Sequence, residues 1–178
     1  MARYIAFLRA INVGGHTVKM DRLRELFEAL GLTHVETFIA SGNVLFDASS
    51  KNTQALEKKI EKHLADALGY EVATFIRTAD EVVAVSKYEP FEPEPETNKA
   101  MLYVAFLKEQ LGEDLKTKVM AFTSPMDAFH LHGRELYWLC RISSHESKFS
   151  AAALERAIKQ PATFRNINTA KRLAAKFS

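Results

Sequence analysis

The sequence predicts an α+β fold of two tandem βαββαβ-type units packed together, with antiparallel sheets and helices. Three observations carry that prediction. Segments of strand period and helix period follow one another as strand, helix, strand, strand, helix, strand through the first half. A stretch rich in proline and glutamate, 89–98, then interrupts the pattern. Beyond it a similar order of elements begins again, which is the mark of an internal repeat. The βαββαβ order is that of a ferredoxin-like unit. The chain is therefore expected to divide into a first unit with a short linking helix (1–88), a connector (89–98) and a second unit with a basic C-terminal helix (99–178).

Residues 3–9 read as a strand that is apolar on both faces and so buried on both. Leu23, Leu26, Phe27 and Leu30 then mark one face of a helix, with Gly31 as its terminator. Residues 35–39 and 44–46 form a hairpin around Ala40-Ser41-Gly42-Asn43. Asn52 or Thr53 caps a second helix in which Leu56, Ile60, Leu64 and Leu68 recur every fourth residue, and Gly69 closes it. A strand follows over 72–76. Thr78-Ala79-Asp80-Glu81 has the form of a capping box and opens a short helix to about Lys87. The connector carries Pro90, Pro93 and Pro95, which exclude a helix interior or a central strand.

In the second half, 101–107 is again an apolar strand and 112–122 a helix. Residues 128–132 and 135–140 form a hairpin turning at Gly133-Arg134, and 147–159 is a helix ahead of Pro161. The last strand is expected to be replaced by a basic segment, 165–177, helical from Asn166. Residue identity between the halves reads as weak. The first strand of each half is apolar on both faces, so a shared interface between the halves is expected to cover them.

Composition narrows the function classes. Of the 178 residues 47% are hydrophobic and 26% charged, and the net charge is +2. This is a globular profile with no global signal for nucleic acid or membrane. Charge is nevertheless uneven: residues 134–178 hold nine Lys/Arg against three acids, and 80–96 hold six acids and one Lys. The single cysteine, Cys140, excludes a disulfide framework. The chain lacks a leader pattern and any apolar run long enough to span a bilayer, so a cytoplasmic setting is expected.

The motif of most interest is Arg9…Gly14-Gly15…Lys19, where a strand runs through a glycine turn into a helix. Backbone amides at a helix start beside an Arg and a Lys suit a phosphate or carboxylate. The bland reading is a tight turn with both cations solvated. Neither a Walker loop nor a G-x-G-x-x-G fingerprint is present. Ser41-Gly42-Asn43 would lie near that turn. Ser41 has only His16 as a nearby base and no nucleophile-elbow pattern, so it reads as part of the hairpin turn. His130 and His132 share a strand face, but zinc spacings are missing and neither a metal nor a cofactor is expected. Tyr4, Phe7, Phe38, Phe46, Tyr103, Phe106, Tyr137 and Trp138 lack the RNA-recognition consensus and are expected in the core. Thr163-Phe164-Arg165-Asn166-Ile167-Asn168-Thr169 is dense in donors, with Asn166 or Asn168 able to cap the terminal helix. If the tail folds back, Arg165 would join Arg9 and Lys19.

Arg9-x-Ile11-Asn12-Val13-Gly14-Gly15, Val18-Lys19-Met20, Ser41-Gly42-Asn43-Val44 and Thr163-x-Arg165-Asn166-x-Asn168-Thr169 together resemble the bacterial family named domain of unknown function 1697. The resemblance covers nearly the whole chain. It implies a small cytoplasmic protein of two ferredoxin-like units and supplies no activity. Ala10 stands where that family usually has Gly, and Ile167 where it usually has Trp.

The function expected first is a binding module for an anionic ligand: a nucleotide, a phosphorylated small molecule or a nucleic-acid backbone. Its candidate site is Arg9, Asn12, Gly14, Gly15, Lys19, Ser41, Asn43, Arg165, Asn166 and Asn168. The alternatives are an enzyme on a small phosphorylated or carboxylated substrate, for which no base is identified, and a protein-interaction domain using the connector and basic tail.

Overall fold

The computed structural model describes residues 1–11, 17–39, 42–93, 100–142 and 146–177. Its contacts divide into two compact units, Met1–Val85 with Leu173–Ser178, and Ser86–Arg172. Strands and helices occur as two four-stranded antiparallel sheets and six α-helices among the described residues.

The first unit runs β1 (Ala2–Leu8), α1 (Met20–Glu28), β2 (Thr33–Thr37), β3 (Asn43–Ala48), α2 (Thr53–Leu68), β4 (Thr74–Thr78) and the start of α3 (Ala79–Lys87). The sheet order is β2-β3-β1-β4, every neighbour antiparallel. Alternation along β1 explains its two buried faces. Tyr4, Ala6 and Leu8 pack with Val44, Phe46 and Ile76 against Leu23, Leu26 and Phe27 of α1 and Leu56, Ile60 and Leu64 of α2. Ile5 and Phe7 point the other way and are also fully buried. Burying side chains of this size is worth about 1.5–3 kcal/mol each, far more than helix propensity differences, so the apolar stripe sets where α2 lies. Asn52 caps α2, its Oδ1 accepting from Ala55 N at 3.0 Å, and Gly69 ends it in the left-handed region at φ +83°.

The outer edge of β4 is closed by carboxylates. Thr74 N donates to Glu61 Oε2 (2.9 Å), Ile76 N to Glu57 Oε2 (2.7 Å) and Thr78 N to Glu81 Oε1 (3.0 Å). These are alternate residues, the ones whose amides face away from β1. Glu57 and Glu61 reach them because residues four apart share a helix face. The Thr78–Glu81 pair is also the predicted capping box, since Glu81 N donates back to Thr78 Oγ1 at 3.1 Å.

The second unit runs β5 (Met101–Leu107), α4 (Glu113–Met120), β6 (Asp127–His132), β7 (Glu135–Cys140), α5 (Ala151–Ile158), β8 (Ala162–Asn166) and α6 (Ile167–Ala174). Its sheet order is β6-β7-β5-β8, again antiparallel throughout. The core joins Ala105, Leu107, Leu136, Trp138 and Cys140 to Val119, Leu154 and Ile158 from the helices.

The expected loss of the final strand is corrected here: β8 exists and pairs with β5 from Tyr103↔Asn166 to Leu107↔Ala162. Its sequence, Ala-Thr-Phe-Arg-Asn, is short and polar, which hid it. The pairing is possible because β8 is an edge strand whose first amide, Ala162 N, is met by Glu155 Oε1 at 3.1 Å. The repeat is also closer than the sequence reading allowed. Tyr4-Ile5-Ala6-Phe7-Leu8 matches Tyr103-Val104-Ala105-Phe106-Leu107, and Ile5↔Arg77 in one sheet corresponds to Val104↔Arg165 in the other.

Candidate functional site

The connector after β1 is where the two repeats part company. Eleven residues, 9–19, join β1 to α1, whereas five, 108–112, join β5 to α4. The described ends of the longer connector are firmly held. Arg9 N donates to Ala73 O and Leu8 N to Gly42 O, both at 2.9 Å. Ile11 is buried, and its carbonyl accepts from Tyr70 Oη at 2.8 Å. Burial raises the Tyr70 phenol above its ordinary range. Ala10 lies at φ +56°, in the region that favours glycine.

The β2–β3 turn closes against the same segment. Gly42 is at φ +86°, and a Cβ there would stand 2.8 Å from Ile11 Cγ2 and 3.2 Å from Leu8 Cβ. Only glycine fits both the torsion and the space. Ile39, in the same turn, has φ +62°, an outlier for a β-branched residue. Asn43 is buried and donates from Nδ2 to Phe38 O at 3.0 Å, so its amide builds the turn. Lys19 is exposed, occupies the N-cap position of α1 and offers no side-chain acceptor to the first helical amides. Thus Arg9, Lys19 and Asn43 belong to the first unit. Asn12, Gly14, Gly15 and Ser41, with His16, lie outside the described residues.

Arg165, Asn166 and Asn168 belong to the second unit. Arg165 is 8% exposed, and its Nη1 donates to Thr163 Oγ1 (2.8 Å) and Phe164 O (2.9 Å). Burial draws its guanidinium down to about 10. Asn166 Oδ1 accepts from Asn168 N at 2.9 Å, starting α6 as a capping residue does, while Asn168 is exposed.

Two clusters in the second unit go beyond what the sequence singled out, which in the first was His130 and His132 alone. Tyr88 lies flat on His132 (centroids 4.1 Å apart, 13° between planes) and bonds His130 Nε2 through its hydroxyl at 2.7 Å. Tyr137 packs tilted against Tyr88, and Phe91 meets His130 edge to face. Burial, then the neighbouring His132, lowers His130 below 6.5. The alternation of His130 and His132 showed that they share a face; nothing in it pointed to Tyr88. The second cluster surrounds Asp127, 4% exposed, whose Oδ1 accepts from Trp138 Nε1 (2.8 Å) and Ser147 Oγ (2.9 Å), and Oδ2 from Ser124 Oγ (3.0 Å). The Cys140 thiol beside it is pushed up, chiefly by burial. Ser124-x-x-Asp127 and the lone tryptophan were the available signals. Among the described residues no group of three or more His, Cys, Asp and Glu is placed to hold a metal ion. No helix there is long and apolar enough to cross a membrane.

This is a mixed α/β protein built on two antiparallel four-stranded sheets with matching strand orders. A family model described as protein of unknown function (DUF1697) matches residues 1–137, and the chain belongs to that family. Among solved structures it is similar to conserved bacterial protein SP0830 from Streptococcus pneumoniae, with a TM-score of 0.72, 24% identity and 99% of each chain covered. That likeness shows the fold. No curated protein matches the chain.

Proposed function

We propose that the protein is a cytoplasmic binding module for an anionic, phosphate-bearing ligand, held at the β1–α1 connector of the first unit. The observation that carries this reading is the elongation of that connector, eleven residues against five in a register-matched repeat. Eleven residues is about twice the usual length of such a connection. Two further facts support it. Arg9 and Lys19 flank the segment in which the sequence places Asn12, Gly14 and Gly15, and two non-glycine residues, Ala10 and Ile39, hold left-handed torsions beside it. Strain of that kind gathers at ligand sites. Ser41, outside the described residues, stays in the proposed site on its place in the sequence alone, whereas Asn43, Asn166 and Arg165 bond within their own turn, helix start and strand.

In this reading each unit is ferredoxin-like. The strand order β2-β3-β1-β4 with antiparallel neighbours supports it, as does its counterpart β6-β7-β5-β8. With it goes the proposed division by sequence into 1–88, 89–98 and 99–178, which differs from the contact-based units in where it puts 86–98 and Leu173–Ser178.

The test is a thermal-shift series with inorganic phosphate, nucleotides and short oligonucleotides on the wild type, Arg9→Ala and Lys19→Ala. Ligand at a hundredfold its Kd adds about 2.7 kcal/mol, a rise of roughly 5–10 °C at this size. Phosphate-bearing ligands should raise Tm in the wild type and lose most of that effect in both variants. An oligonucleotide ligand would also weaken steeply with salt. Equal shifts in all three proteins, or none in the wild type, would defeat the assignment.

A further inference from the structure

The second unit contains a cavity of about 420 Å³ that is separate from the connector site. Its walls include Phe122, Phe149, Met126 and Ile142, and Asp127 lies in its lining. Three features of that arrangement converge on one ligand chemistry.

The first is the charge. Asp127 is 4% exposed, and the groups that bond it, an indole N–H, two serine hydroxyls and the Cys140 thiol, are all neutral. No Lys, Arg or His among the described residues forms an ion pair with it. Neutral hydrogen bonds hold a buried carboxylate in place and leave its charge uncompensated. The second feature is capacity. An ionised carboxylate has about four acceptor sites. Oδ2 receives the Ser124 hydroxyl, and the Cys140 thiol also bonds the carboxylate, so an incoming ammonium would share or replace the weak thiol contact. The third is the aromatic corner. Phe122 and Phe149 meet edge to face, 5.7 Å between centroids at 88°, so two ring surfaces at right angles flank the cavity. Ring faces attract cations, and such corners recognise ammonium groups. Cavities of this kind, apolar with a few placed polar atoms, are the usual form of small-molecule sites.

We infer that this cavity binds a small primary alkylammonium ion, its nitrogen donating to Asp127 Oδ2 and its hydrocarbon chain lying between Phe122, Phe149 and Met126. Glu146 and Lys148 also line the cavity, and the buried Cys140 thiol lies against Asp127. The acid favours the cation, Lys148 opposes it, and the thiol is neutral near pH 7. Net selection therefore rests on Asp127.

The chain has one tryptophan, and its indole N–H is bonded directly to Asp127, so the site carries its own reporter. The experiment is a titration of the ¹⁵N-labelled full-length protein with n-butylammonium chloride at pH 7, following the indole cross-peak. Sodium chloride and the isosteric neutral 1-butanol serve as controls. A saturable indole shift is expected, with 1-butanol binding at least tenfold more weakly and sodium chloride giving no saturable change. Intermolecular NOEs should run from the ligand methylenes to the Met126 methyl and the Phe149 ring. Asp127→Asn should abolish the preference for the amine. Should that variant fail to fold, the wild-type NOEs and the amine-to-alcohol ratio decide alone. Equal affinity for amine and alcohol, NOEs to other residues, or no saturable shift would overturn the assignment.

Discussion

Replacing Gly42 with alanine tests whether the β2–β3 turn and the β1–α1 connector are locked by sterics. The backbone at Gly42 has φ +86°, which costs an L-residue about 1–2 kcal/mol. The added Cβ would stand 2.8 Å from Ile11 Cγ2, and forcing such overpacking adds about 1–3 kcal/mol. Gly42→Ala should therefore lose about 2–5 kcal/mol in total. At this chain length that corresponds to a fall in Tm of roughly 4–20 °C. Leucine at position 11 keeps the volume but removes the β-branch, and Ile11→Leu alone should cost less than about 1.5 kcal/mol. The double variant should recover the clash but not the torsional penalty. A double-mutant cycle by urea denaturation should then give a coupling of about 1 kcal/mol or more. Additivity within about 0.5 kcal/mol would show that Ile11 does not press on Gly42, and the steric account would fail.

Further predictions follow from single contacts. Ala10→Gly should stabilise by about 0.5–1 kcal/mol, because relief at φ +56° exceeds the added freedom of the unfolded chain; a lower urea midpoint would contradict this. Glu57→Leu removes the acceptor for Ile76 N and should cost about 1.5–3 kcal/mol, while Glu57→Gln should retain most of the stability, a contrast readable by calorimetry. His130 titrates below 6.5 when folded, so between that value and 6.5 the unfolded chain binds more protons. Its contribution is complete above pH 6.5 and is lost as pH falls through the folded value. Urea midpoints for His130→Gln should accordingly be flatter with pH across that window than those of the wild type, and superimposable profiles would refute it. Loss of the helix cap in Asn52→Ala should cost about 1 kcal/mol, and an unchanged melting temperature would show that the Asn52–Ala55 bond is idle.

Most of the elements could be read from periodicity because their apolar positions repeat cleanly. Met101–Leu107 and Glu135–Cys140 were placed to the residue, and Asn52, Gly69 and the Thr78–Glu81 box marked helix ends through local chemistry that acts within a few residues. β8 was hidden for the opposite reason. A five-residue strand containing Thr, Arg and Asn has no apolar period, and what holds it is pairing with β5, some sixty residues away in sequence. The likeness of Tyr4–Leu8 to Tyr103–Leu107 was available in the letters but is short, and it gains meaning only when the pairing partners match as well. At the connector, the sequence indicated charge and glycine, but Ala10 and Ile39 carry no letter-level sign of a left-handed torsion. Gly42 was read as a turn residue; that it must also admit Ile11 is a fact of packing. The Asp127 cluster and the Tyr88 stack depend on chains meeting across the sheet, which spacing along one segment does not encode.

The three helix glutamates that cap the β4 edge have a consequence for self-association. A bare edge strand is a template for another chain, and repeated addition at two edges builds an open polymer. In the first sheet one margin is β4, where the alternating outward amides of Thr74, Ile76 and Thr78 are already taken by acids. An incoming strand would have to displace one carboxylate for each of the three amides it sought to pair. The opposite margin, β2, is five residues long and breaks register between Thr33 and Glu36. Strand addition to the first sheet is thereby confined to one side, so this sheet by itself can end in a pair but is not a two-ended template.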